Sequence, residues 1–243
     1  MRYIDLNKLL LKRARWGHRK ELWKNKNLKK DFCDISHNKC WYTEIKLLGQ
    51  DASIDHFRPK AKIEPFEKYN YNKQLSECGY FWLANIPANY RLSCTYANRK
   101  TGDGGKGCYF PLSDESVYMT ENGNEEENTL ILDPCVKEDV NLISFEGNRV
   151  ISTSTKEIDI IRVSVTRRIF NLDDTFIKAE RGKVWDGVEK TLSEYSAGDI
   201  TEKVCLRILS DYIASDALFS ACAIACVNSL APDYIKEKLD LTL

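Results

Sequence analysis

No stretch of this 243-residue chain is apolar for long enough to cross a bilayer. The longest apolar run, Ala217 to Leu230, contains serine and asparagine and falls short of the roughly 20 residues a spanning helix needs. It predicts a buried helix. The basic N-terminus lacks the apolar segment that precedes a signal-peptide cleavage site, so a soluble cytoplasmic protein without membrane contact is expected. A disulfide framework is also missing. The cysteines at 33, 40, 78, 94, 108, 135, 205, 222 and 226 are odd in number and scattered, two of them inside the apolar run, which predicts reduced thiols. Gly102, Gly104, Gly105 and Gly107 lack the GxxxxGK[ST] arrangement of a phosphate-binding loop. They predict a flexible loop. No internal repeat is present.

Nor is there a surplus of either charge, since 36 Lys and Arg balance 36 Asp and Glu. The balance conceals an asymmetry. Residues 1 to 30 carry eleven Lys and Arg against Asp5 and Glu21, leaving the remainder net acidic. Such a segment suits phosphates, an acidic protein surface or simply solvent. Within it Leu6, Leu9, Leu10, Trp16, Leu22 and Trp23 recur at roughly helical intervals, predicting an amphipathic helical region.

Residues 31 to 38 are rich in turn formers and predict a polar connection; a short strand pair is expected from residues 39–44 and the Asp55-His56 segment. Residues 61 to 79 predict a loop with a short helix, and a helix beginning near Cys94 must end by Gly102. Thr129 to Leu132 looks strand-like. Glu146-Gly147-Asn148, flanked by 142–145 and 149–153, predicts a hairpin. Beyond Thr155 helical spacing prevails, through Ile158, Ile161, Val165 and Ile169, then Phe176, Val184, Val188 and Leu192, with further helices near 199–214 and 217–230 and another from Pro232. The expected class is α+β, divided into a basic helical segment (1–38), a core with an insert (39–135), and a hairpin plus helical region for partner contact (136–243).

Two segments carry the chemistry: Ile54-Asp55-His56-Phe57-Arg58-Pro59-Lys60, and Asn89 through Asn98-Arg99-Lys100. Phosphodiester hydrolysis needs a base for water and a cation for the crowded phosphate and leaving oxygen. Asp55 suits a hard divalent ion such as magnesium or manganese, and Asn98 can add a neutral oxygen. His56 can serve as general base. Arg58, Lys60, Arg99 and Lys100 supply phosphate contacts, and Asn89 braces the loop carrying His56. Taken singly, each has a plainer reading as a capping pair or a turn asparagine. Together they predict a single-metal phosphodiesterase site.

The set Asp55, His56, Asn89 and Asn98 resembles the HNH, or ββα-metal, nuclease motif, in which adjacent Asp and His provide metal ligand and base, a middle Asn braces the loop, and a final His or Asn completes the metal site. Over about residues 30 to 190 the chain is similar to the PtuB-like group of Septu-type and retron-associated antiphage defence. The matching strings are Asp55 to Lys60, Phe81-Trp82-Leu83-Ala84, Phe110-Pro111, Leu130 to Pro134 and Thr166 to Leu172. That resemblance implies an SMC-like or ABC-type ATPase partner (PtuA-like), and in some systems a reverse transcriptase with its own RNA and DNA. Many such nucleases hold a structural zinc between two CxxC pairs. Here the pairs are Cys40-Trp41-Tyr42-Thr43 and Cys94-Thr95-Tyr96-Ala97, so two thiolates are missing, and zinc on Cys33, His37, Cys40 and Cys94 is disfavoured. The expected activity is metal-dependent endonucleolytic cleavage, with DNA the preferred target over RNA. The alternatives are a non-catalytic nucleic-acid-binding or partner-docking subunit with a degenerate zinc site, a zinc-ribbon-like structural protein, and an enzyme silent until complexed.

Overall fold

The structure, a computed structural model, describes residues 1–17, 20–100, 104–123 and 127–241. Arg19 of the basic segment and Gly102 of the glycine run lie outside them.

The N-terminal segment breaks up where one amphipathic stretch was expected. Helix α1 (Leu6–Leu10), capped by the Asp5 carboxylate, is followed by 3-10 turns at Arg13–Trp16 and Leu22–Lys24, with Gly17 between them at a φ of 64°. Helix α2 (Lys26–Ile35) starts at Asn25, whose side-chain oxygen accepts from the N–H groups of Asn27 and Leu28. It occupies most of the stretch expected as a polar connection, because Asp31 finds partners inside the protein. The indole of Trp16 donates to Asp31 at 2.8 Å and Arg15 lies at 3.2 Å. With its charge answered, Asp31 is buried beside Leu28 and Phe32, and Phe32 stacks on Trp41. Lys24 and Lys30 pair with Glu21 and Asp34, so part of the basic surface is already matched.

At the centre, strand β1 (Ala52–His56) runs antiparallel to β2 (Tyr90–Cys94), with Asp55 opposite Arg91 and His56 opposite Tyr90. Residues 39–44 form a turn instead of a strand beside β1, and the Trp41 N–H donates to the Leu92 carbonyl at 2.9 Å. Helix α3 (Thr95–Asn98) follows β2 directly, its first turn capped by Cys94 Sγ, which accepts from the Ala97 N–H at 3.3 Å.

The insert between the strands has no helix over 61–79, where a short one was expected. Turns there are tied to the segment after α3 by the bridges Glu64–Tyr109 and Asn70–Leu112. Thr129 to Leu132 makes only the bridge Leu112–Thr129 rather than a strand. Its other donors go elsewhere: Leu130 N–H to Pro111 O and Leu132 N–H to Thr166 Oγ1.

Helix α4 (Lys137–Asn141) leads into the expected hairpin, β3 (Ile143–Glu146) and β4 (Arg149–Ser152), turning at Gly147 with a φ of 58°. Then come α5 (Glu157–Ile169), α6 (Thr175–Ala197), α7 (Glu202–Ile213), α8 (Ser220–Leu230) and α9 (Asp233–Lys238). A main core draws on residues from the N-terminal segment to Cys222, and a second gathers Val188, Leu192, Cys205, Leu209, Cys226 and Ile235 between α6 and α9. Phe176, expected on the apolar stripe of α6, is 67 % exposed, because the first turn buries Ile177 instead. The cysteines are unpaired, and no described helix is long and apolar enough to cross a membrane.

Candidate functional site

Adjacent residues on a strand point to opposite faces, and Asp55 and His56 at the end of β1 engage separate partners. The buried Asp55 carboxylate accepts from Lys106 Nζ at 2.9 Å and from the Tyr42 hydroxyl at 3.0 Å. Lys106, with no exposed surface, also donates to the His56 carbonyl at 2.6 Å. The loop carrying it is pinned: Lys106 N–H donates to Ala97 O, Gly107 N–H to Asn98 O, and Gly105 N–H to Ile169 O. Gly105 adopts a φ of 94°, and a Cβ there would collide with the Arg99 carbonyl. The described part of the glycine run is therefore a fitted segment, where a flexible loop was expected. Tyr42 stacks on Phe170, ring centroids 3.7 Å apart. Burial, reinforced by Asp55, pushes the Tyr42 phenol well above its ordinary pKa and keeps it a donor.

Asn98 lies at the end of α3, and its Nδ2 donates to Ser53 Oγ at 2.9 Å. Ser53 is two residues before Asp55 and hence on the same face of β1. Among the described residues no side-chain hydrogen bond joins Asp55, His56 and Asn98. Asp55 and Asn98 offer the hard oxygens that magnesium or manganese prefers, but with the buried Lys106 ammonium on the carboxylate the pair as folded does not fit a divalent ion.

His56 occupies an aromatic niche, edge-on to Trp23 and Tyr90 with centroids 5.1 Å away in each case. Its Nε2 lies 3.0 Å from the Ala84 carbonyl oxygen. A carbonyl only accepts, so Nε2 carries the proton and Nδ1 keeps its lone pair. Nδ1 has no hydrogen-bond partner among the described residues. Burial, with Lys60 and Lys106 adding to it, pulls the imidazole down to about 4, against the bond to Ala84 and the charge of Asp55, so the ring is neutral at cellular pH. Asn89, also buried, accepts from the Arg58 N–H at 2.8 Å and donates to the Arg58 carbonyl at 3.0 Å, while its own carbonyl receives the Phe57 N–H. It ties the chain leaving β1 to the chain entering β2.

The four expected phosphate-binding cations separate. Arg58, expected to contact phosphate, turns inward to Glu127 at 2.5 Å and lies beside the Phe110 ring, so its charge is answered within the protein. Lys60 Nζ sits 3.3 Å from the centre of the Trp23 ring. Arg99 and Lys100 stand exposed after α3 and, with Lys46, rim an open cavity of about 520 Å³. Lys100 also pairs with Glu64 at 2.8 Å.

Positions 40, 43, 94 and 97 converge. Thr43 Oγ1 lies 3.9 Å from Cys94 Sγ, which also takes the Ala97 N–H. The hydrogen bond with Cys40, and burial, push the Cys94 thiol well up. His37 is not part of this cluster, since its Nε2 meets Ser215 Oγ at 3.2 Å. Among the described residues no group of three or more His, Cys, Asp and Glu could hold a metal ion.

Lys106 and Tyr42 escaped the sequence reading. Lys106 sits inside a glycine run, and glycines permit close backbone approach as readily as flexibility. Tyr42 lies within a degenerate CxxC string and carries no signal of its own.

No family model matches the chain. It is similar to a curated protein, the Septu protein PtuB of Bacillus mycoides (strain KBAB4), with 28% identity over 195 residues. The similarity covers 79% of this chain, which spans 62% of that relative's length.

Proposed function

We propose that this chain is an HNH-type endonuclease of a Septu-like antiphage defence system, hydrolysing phosphodiester bonds of nucleic acid, DNA foremost. The observation that carries the reading is the 3.0 Å contact of His56 Nε2 with the Ala84 carbonyl oxygen. With Nε2–H held by Ala84, Nδ1 is the atom left to take the proton from the attacking water. Asn89 holds the segment behind this base. Arg99 and Lys100, joined by Lys46 and with Lys60 nearer His56, meet the phosphate backbone. Asp55 and Asn98 would hold one magnesium or manganese ion only with Lys106 displaced from the carboxylate, and that ion would supply positive charge for the phosphate and the leaving oxygen. As folded here Asp55 is committed to Lys106. The similarity to PtuB supports a defence role. The helical region after β4 is the surface offered to a partner, proposed as a PtuA-like ATPase.

One observation favours a second reading. A carboxylate already neutralised by an internal lysine suits a retired site, in which the chain grips nucleic acid and docks a partner without cutting. Nicking of supercoiled DNA in magnesium or manganese separates the two. Nicking lost in His56→Ala supports catalysis, whereas equal rates in variant and parent remove it.

A further inference from the structure

The ammonium of Lys106 and the carboxylate of Asp55 form a sealed ion pair, 2.9 Å apart, with the lysine side chain fully buried and Asp55 only 4 % exposed. The ammonium also takes the His56 carbonyl at 2.6 Å, so a positive charge is shared between two oxygens of β1. We propose that Lys106 is the resident counter-ion of Asp55, and that a divalent ion and this ammonium are mutually exclusive partners of that carboxylate. Metal then enters only when the segment 104–107 withdraws. The inference rests on the reading of Asp55 as a metal ligand and deepens it, by saying what keeps the site shut.

Two physical arguments support exclusion. A dication placed near an ammonium would be repelled in a poorly screened interior, where like charges a few ångströms apart interact far more strongly than in water. The Tyr42 hydroxyl takes up one lone pair of the other carboxylate oxygen and holds the carboxylate turned toward Lys106. Both contacts trace back to one place in the fold. Ile169 at the end of α5 receives the Gly105 N–H beside Lys106, and Phe170, the next residue, stacks on Tyr42. A shift at this end of α5, within the helical region proposed to meet a partner, would loosen both at once.

The test measures manganese binding to the full chain by the loss of its free-ion electron paramagnetic resonance signal, with thermal unfolding recorded alongside. Lys106→Met should bind manganese at least about tenfold more tightly than the parent, and manganese should raise its Tm. The double variant Lys106→Met with Asp55→Asn should lose both gains. Removing one partner of a buried pair is destabilising, so a second variant preserves both charges. Gly105→Ala forces the loop off the Arg99 carbonyl and should also tighten manganese binding. Unchanged affinity in whichever of these folds overturns the proposal. Its fate is separable from that of the nuclease: tighter manganese without any DNA cleavage keeps the counter-ion and removes the enzyme. Unchanged manganese affinity with His56-dependent nicking does the reverse.

Discussion

The Nε2 of His56 meets the carbonyl oxygen of Ala84 at 3.0 Å, across 28 residues of sequence. Ala84 O also receives the Tyr90 hydroxyl at 2.6 Å, so the acceptor is itself held in place. This relationship converts an ambiguous imidazole into one with a designated donor and a designated base nitrogen.

It has a consequence for stability in acid. In the unfolded chain His56 takes up a proton as pH falls through about 6.5, whereas in the folded protein burial delays protonation to about 4. Over that window the unfolded state binds more protons, so stability contributed by neutral His56 is present above pH 6.5 and is lost as pH falls toward 4. The loss is on the order of 2 to 3 kcal/mol by pH 4.5. Urea unfolding of the parent and of His56→Gln at pH 7 and pH 4.5 checks it, with the steeper decline expected in the parent. Parallel declines would assign the acid sensitivity to other groups.

Asn89 satisfies both backbone groups of Arg58 with one buried amide. Truncation to alanine orphans both, and is expected to cost about 1 to 3 kcal/mol in chemical unfolding. Asn89→Asp keeps the acceptor and loses the donor. If alanine shifts stability by less than about 0.5 kcal/mol, the brace is dispensable.

The cations should divide in the way their partners divide. Arg99→Ala with Lys100→Ala is expected to weaken DNA binding and to flatten its salt dependence by about one to two in slope, with the fold unaffected. Arg58→Ala strips the inward partner from buried Glu127 and should show mainly as lost stability. Fluorescence anisotropy across a salt series, paired with melting curves, distinguishes the two classes.

Positions 43 and 97 stand where two missing thiolates would complete a cluster with Cys40 and Cys94. Thr43→Cys with Ala97→Cys is expected to bind zinc stoichiometrically and to raise Tm, because four thiolates satisfy tetrahedral zinc where two cannot. Zinc-free double variant after purification in zinc would show that the four positions do not make a tetrahedron.

How much of this could be read from the letters depended on the range of each interaction. The hairpin about Gly147, the helix ending at Asn98 and the later helices follow from local turn chemistry and periodicity. The pairing of β1 with β2, 42 positions apart at the Ala52–Cys94 end of the register and 34 at His56–Tyr90, does not, and residues 39–44 next to it make a tempting wrong neighbour. Helix α2 ran on because Asp31 is satisfied by Trp16 and Arg15, contacts that spacing alone does not announce. The inward turn of Arg58 is hidden for the same reason: a motif shows a cation but not Glu127 waiting 69 residues further on. Lys106, 51 residues from the carboxylate it neutralises, was hidden by the glycines that allow it to reach.

The central claim is that His56 takes a proton from water during phosphodiester cleavage. The most direct test is the nicking rate of supercoiled DNA by the purified chain in manganese, with and without the proposed ATPase, for the parent and His56→Ala. The account predicts cleavage by the parent in at least one of these settings and a loss of about a hundredfold or more in the variant. Equal rates in the two proteins, or an inert parent in every setting, would contradict it.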